Sequence, residues 1–257
     1  EALAFALGQM NSDNGSEYLL VAMQEYSGDK EKIMLYTELI NSISKIGGEN
    51  ELNHILKIKS TNDQINAAIA MAIARFGMRM IKNDNSFLKL VELMDQTEDL
   101  TIRRNIAFAF NRIADKQLLQ AYNTQIVKSA ASTDPYVRMW GYSAIGKQQD
   151  TASVAFLIDA LNNETDWRVK VNIINALGNY KIDHNSPLIY NTLTVLLEQG
   201  VSDQNTHVSI ASWQAVGKLY AGGSTGNLTA WKIQQDFKFF IASSKATEGY
   251  VKAEAIK

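Results

Sequence analysis

Histidine is the side chain best suited to metal ligation or proton transfer near neutral pH, and the chain has three: His54, His184 and His207. They stand 130 and 23 residues apart, and none has a second His or a carboxylate three or four positions on along a plausible metal helix. There is no Cys, so neither a disulfide framework nor a thiolate metal site is available. Gly222-Gly223-Ser224-Thr225-Gly226 is glycine-rich, but it lacks the Lys-Ser/Thr ending of a phosphate-binding loop and follows a helical pattern rather than a strand. It reads as a connection between helices. Acidic groups such as Asp95, Glu98 and Asp99 fall where helix caps and first-turn carboxylates belong, since the helix dipole favours negative charge there. No Ser/His/Asp set assembles. The expectation is no catalytic residue, no cofactor, no metal and no small-molecule substrate.

The elements that position these residues follow a repeat. Five segments carry an apolar residue at position i and apolar or small residues at i+4, i+7 and i+8. They are Ile65/Ile69/Ala72/Ile73, Ile102/Ile106/Ala109/Phe110, Val137/Gly141/Ala144/Ile145, Val169/Ile173/Ala176/Leu177 and Val208/Ser212/Ala215/Val216. This spacing is one face of an α-helix. Three residues before each leading position stands Asn62, Asp99, Asp134, Asp166 or Asn205, a residue type that accepts the free N–H groups of a first helical turn. Pro135 follows Asp134, where its missing N–H costs nothing. The steps between leading residues are 37, 35, 32 and 39.

A second kind of amphipathic segment alternates with these. Val154/Leu157/Ile158/Leu161 is one; Phe87/Leu88/Val91 with Leu93 or Met94 is another. Leu188/Leu193/Leu196/Leu197 is a third, opened by Ser186 as cap and Pro187 as first helical residue. Each unit is thus helix A, turn, helix B, turn, with Gly47-Gly48, Asn83-Asp84-Asn85 and Gly178-Asn179 among the turns. Over residues 11–57 two B faces compete, Leu39/Ile43/Ile46 and Leu35/Leu39/Ile43. The expected fold is all-α, a single array of about seven helix pairs over residues 1–257. Residues 1–10 read as the tail of a B helix and residues 250–255 as a B helix cut short, so the chain is expected to be an internal piece of a longer protein.

Asp134-Pro135-Tyr136-Val137-Arg138 through Ala144-Ile145-Gly146, and Asp166-Trp167-Arg168-Val169-Lys170 through Ala176-Leu177-Gly178, resemble HEAT repeats. They are most similar to the short bacterial variety first noted in phycobilisome lyases. Tetratricopeptide repeats hold a fixed 34-residue period and ankyrin repeats a T-P-L-H signature, and neither is found. The resemblance implies an α-α superhelix whose B helices line the concave side, and hence a long surface that holds a protein or peptide partner.

Candidate partner-binding residues lie on the B helices. Arg103, Arg138 and Lys170 directly follow the leading apolar residue, with Arg104 and Arg168 beside them. Stacking aligns them as a ladder that either faces a partner's acidic groups or bridges internally to a neighbouring repeat. Phe108, Tyr136, Tyr142 and Trp213 are either anchors for a partner or inter-repeat core. Trp140 and Trp167 read as packing residues, and His207 as facing the groove. The segment Trp231–Ile241 reads as an A helix that packs on a following repeat. The partner-binding set is Arg104, Phe108, Arg138, Tyr142, Lys170, His207 and Trp213.

Charge excludes more than it selects. With 25 Lys and Arg against 27 Asp and Glu, the net charge is −2 and supplies no field for nucleic acid. No apolar run reaches the ~20 residues of a membrane span. Asn14-Gly15-Ser16, Asn163-Glu164-Thr165 and Asn227-Leu228-Thr229 match the glycosylation triplet, a short pattern frequent by chance. The expected function is a non-catalytic interaction scaffold. The alternative is the repeat arm of a multidomain enzyme, for instance a cyclophilin-type peptidyl-prolyl isomerase, with its catalytic domain elsewhere. A lyase-like role in attaching a tetrapyrrole ranks last.

Overall fold

Asp and Asn caps divide the chain into helices wherever the sequence places them. The computed structural model describes residues 1–10, 14–113, 115–182 and 186–221. His184, the Gly222–Gly226 connection, the Asn227 triplet, the Trp231–Ile241 segment and residues 250–255 lie outside the described residues. Among those described there is no strand. The helices are α1 (Ala2–Gln9), α2 (Gly15–Glu25), α3 (Ile33–Ile46), α4 (Glu49–Leu56), α5 (Asp63–Met78), α6 (Asn85–Gln96) and α7 (Leu100–Arg112). They continue as α8 (Lys116–Ala121), α9 (Asn123–Ala130), α10 (Pro135–Gln148), α11 (Ser153–Asn163), α12 (Trp167–Gly178), α13 (Pro187–Ser202) and α14 (Thr206–Ala221).

All five expected caps work as caps. Asn62 accepts from the Gln64 and Ile65 N–H groups, Asp99 from Ile102, Asp134 from Tyr136 and Val137, and Asp166 from Arg168. Asn205 accepts from His207. Each satisfies N–H groups that a first helical turn leaves without a partner. Of the twenty positions in the five apolar sets, Ile65 is half-buried and the other nineteen are buried. The B face of α3 is Tyr36, Leu39, Ile40 and Ile43, so both competing readings of this stretch are partly right. On α6 the buried face is Phe87, Leu90, Leu93 and Met94, while Leu88 is 56% exposed. The i, i+3, i+7 spacing from Phe87 selects Leu90 and turns Leu88 to solvent.

The chain forms two compact units, residues 1–129 and 130–257. In the first, the B helices α1, α3, α5 and α7 pack one on the next, with α2, α4 and α6 alongside. Its aromatic centre is Phe87, stacked against Phe110 at 5.3 Å and against Tyr122 at 4.9 Å. In the second, α10, α12 and α14 form the B row, flanked by α11 and α13. Within each unit B helices touch their B neighbours extensively, whereas A helices touch each other little.

Small residues make the close B-row contact possible. A Cβ built on Gly146 would lie 2.5 Å from the Ala176 Cβ, and one on Gly178 would lie 2.6 Å from the Ala215 Cβ. Gly8 faces Ser42 in the same way at 2.6 Å. Ala176 and Ala215 occupy the i+7 position. Ser42 therefore places Leu35 as the leading residue of α3, in register with the other five.

Replacing Gly146 by Ala tests this contact. Helix propensity favours Ala by about 1 kcal/mol, but the added methyl meets the rigid Ala176 Cβ. The substitution is expected to destabilise the second unit by about 1–3 kcal/mol in urea denaturation, and Ala176→Gly in the same chain to recover part of the loss.

Candidate functional site

The turn before the B helices α5, α7, α10, α12 and α14 is built the same way five times. Two residues ahead of the cap stands a side chain with an oxygen: Ser60, Thr97, Ser132, Glu164 or Asp203. In every case that oxygen accepts the N–H of the cap residue, at distances from 2.8 to 3.2 Å. The residue four past the cap closes the turn from the other side. Asn66, Arg103, Arg138 and Ser209 donate to the backbone carbonyl of the residue two before their own cap, at 3.0–3.2 Å. Fixing this turn fixes where the B helix begins, and so the register of its faces.

The basic row that directly follows the leading residues serves these turns. Arg138 donates from Nε and Nη2 to the two Glu164 carboxylate oxygens at 2.9 and 3.0 Å, and from Nη1 to the carbonyls of Ser132 and Thr133. Lys170 pairs with Asp203 at 2.6 Å. Glu164 and Asp203 each lie two residues before the next cap, so both bridges join one repeat to the next in the same register. Arg103 pairs with Glu98 at 2.6 Å. Arg168 pairs with Asp166 at 2.6 Å, donates to the Tyr136 hydroxyl at 2.7 Å, and lies over its ring at 4.6 Å. Burial pushes the Glu164 carboxyl up, but Arg138 and the N–H groups of Asp166 and Thr165 together hold it below its ordinary value. The Arg168 guanidinium foremost does the same for Asp166, against the opposing effect of burial.

The other expected partner-binding residues scatter. Trp213 is 3% exposed and packs over Gly200, where a Cβ would meet its ring at 3.1 Å. Tyr142 is 9% exposed, with the Phe156 ring 6.0 Å away. Both sit five past a leading residue, between the outward row and the core, and packing takes both rings off the surface. His207 is exposed and stacks on Trp167 at 5.0 Å. Arg104 is exposed, and Phe108 is half-buried with the Arg112 guanidinium 4.7 Å over its ring. Trp140 is half-buried and Trp167 is 42% exposed.

Arg104 and Phe108 belong to a different row, which faces outward. Counted from the leading residue, positions 2, 6 and 10 are Thr37/Asn41/Lys45, Ala67/Met71/Arg75 and Arg104/Phe108/Arg112 in the first unit. In the second they are Met139/Ser143/Lys147, Val171/Asn175/Asn179 and Ile210/Gln214/Lys218. None of the eighteen is buried and none is a carboxylate. Position 10 is Lys or Arg in five of six helices, favourable beside the negative end of a helix dipole. These cations reach along the row: Lys45 lies over Phe5 at 4.9 Å, Arg75 donates to the Asn41 Oδ1 at 2.9 Å, and Lys218 donates to the Asn179 Oδ1 at 3.3 Å. The signal in the sequence is a basic residue ten past five of the six leading positions, a row distinct from the one directly after them.

Among the described residues no group of three or more His, Asp or Glu is placed to hold a metal ion, and no helix is long and apolar enough to cross a membrane. Stacked pairs of helices with a capped second helix and an outward row define a helical-repeat protein. Residues 87–178, a stretch that spans α6 to α12, match the family model of HEAT repeats. No curated protein matches the chain.

The Arg138–Glu164 bridge sets a pH dependence. A carboxyl whose folded pKa is depressed contributes stability above its unfolded pKa and loses it as pH falls through the folded value. Stability is therefore expected to decline on acidification below about pH 4.5, the ordinary Glu value. Arg138→Met is expected to cost about 1–2 kcal/mol at pH 7 and to flatten the acid dependence, read from urea midpoints at neutral and acid pH.

Proposed function

We propose that the chain is a non-catalytic scaffold that holds a protein or peptide partner along the outward row of its B helices. HEAT repeats generally serve as protein-interaction scaffolds, and their fold is typically non-catalytic. The observation that carries the reading is the row itself: eighteen accessible positions without one carboxylate, with cations at its edge and half-buried Met71, Phe108 and Met139 between them. Within each unit, the close B-row contacts beside the sparse contacts between A helices support assigning this row to the concave face. Apolar side chains with amide and basic neighbours suit a partner that offers apolar anchors flanked by carboxylates or carbonyl oxygens.

Selection of displayed peptides on the intact chain supplies ligands for the test. Charge reversal of Lys45, Lys147 and Lys218 to Glu is expected to weaken selected peptides at least about tenfold. Phe108→Ala is expected to weaken those seated on the first unit by about 1–2 kcal/mol. Peptides that bind all variants and the parent equally well would remove the outward row from the reading.

A further inference from the structure

In the first unit one pair of successive turns stands apart. Between the turn at residues 26–32 and the turn at residues 57–62 lies an open cleft of about 600 Å³. In the second unit the residue after the leading position is Arg138 or Lys170, and it spans to the next turn through Glu164 or Asp203. In α3 the same position is Tyr36, and two before the next cap stands Ser60. Neither carries charge, so no ion pair draws the two turns together. The first turn is also wider: it holds a short 3-10 helix at Lys30–Lys32, and Gly28 takes a left-handed φ of 85°.

The lining has two chemistries. Met23, Ile33, Ile58 and Ile65 supply an apolar floor. Tyr36 lines it as well at 6% exposure, its phenol raised above the ordinary value by burial against an opposing hydrogen bond with Ser27. Around this floor stand Lys30, Lys57 and Lys59, all exposed. None of the three has an ion-pair partner among the described residues, whereas Arg103, Arg138, Arg168 and Lys170 in the later turns all do. The one acid in the lining, Asp29, turns its carboxylate to the Glu31 N–H of its own turn.

We propose that this cleft is a docking site for a short acidic peptide segment carrying one apolar side chain. The apolar group fills the floor against Tyr36 and Ile65, and carboxylates on either side meet Lys30, Lys57 and Lys59. A cleft open along one side admits a chain that enters and leaves, and its volume falls in the range of ligand sites, about 300–1,000 Å³. The site is separate from the outward B row and goes beyond the scaffold reading.

The test is fluorescence anisotropy on the full chain. The probe is a labelled Asp-rich peptide with a single central Leu, compared with its Asn counterpart. The Asp peptide is expected to bind with an affinity that falls as salt rises, and the Asn counterpart at least about tenfold more weakly. Lys57→Glu with Lys59→Glu, both exposed, is expected to abolish probe binding with the helical circular dichroism unchanged. The Lys45, Lys147 and Lys218 reversal is expected to leave it intact. Equal binding of the two peptides, or no effect of the Lys57/Lys59 change, overturns the proposal. Full displacement of the probe by inorganic phosphate also overturns it, assigning the cleft to a small anion. Loss of binding in the B-row variant alone overturns it while leaving the scaffold reading in place.

Discussion

Gly146 and Gly178 lie so close to Ala176 and Ala215 that no side-chain atom fits between them. That approach decides much of what surrounds it. Two helix backbones this near leave the flanking apolar residues no choice but to interlock, and Ile145, Val169, Ile173 and Leu177 are buried as a result. Close packing of this kind forfeits dispersion energy for every void, so register along the row is strongly specified. The A helices lack such contacts with each other, and their faces are correspondingly less regular.

Register along the row would still drift without a fixed starting point for each helix. The turn supplies it. A side-chain oxygen two before the cap, the cap itself and, in four of the five, the group four past it tie the first residues of the capped B helices into one hydrogen-bonded loop. In the second unit the same loop reaches the next repeat through an ion pair that is partly shielded from water, with Glu164 at 7% side-chain exposure. Shielding strengthens such a pair, and it also makes an unpaired partner costly.

The B helices and their caps were legible because their determinants are local. A cap and the N–H it accepts are two or three residues apart, and an apolar face is written in consecutive turns. Where partners are distant, sequence spacing was ambiguous. Arg138 and Glu164 are 26 residues apart and Lys170 and Asp203 are 33, so the row next to the leading residues read equally as a groove ladder or as internal bridges. Tyr142 and Trp213 sit at a boundary between core and surface that only the neighbouring helix decides, through Phe156 in one case and Gly200 in the other. Leu88 adjoins Phe87 in sequence, but one residue is about 100° of helix and takes it to the side away from the buried Leu90, Leu93 and Met94. The cleft in the first unit arises from turn length and from missing charge, neither of which leaves a pattern.

The five turns share a geometry although the steps between leading residues run from 32 to 39. That variation falls outside the hydrogen-bonded turn and the first apolar face of the B helix, which run at fixed spacing from cap to i+8. It is taken up beyond that point: in the last turn of these five B helices, which run from 12 to 16 residues, and in the A helices, which range from the split pair Lys116–Ala121 and Asn123–Ala130 to the continuous Pro187–Ser202. Insertions and deletions can therefore accumulate after the first turns of a B helix without shifting the residues that set its register. Length is free to diverge there while the capped start of each B helix keeps its frame.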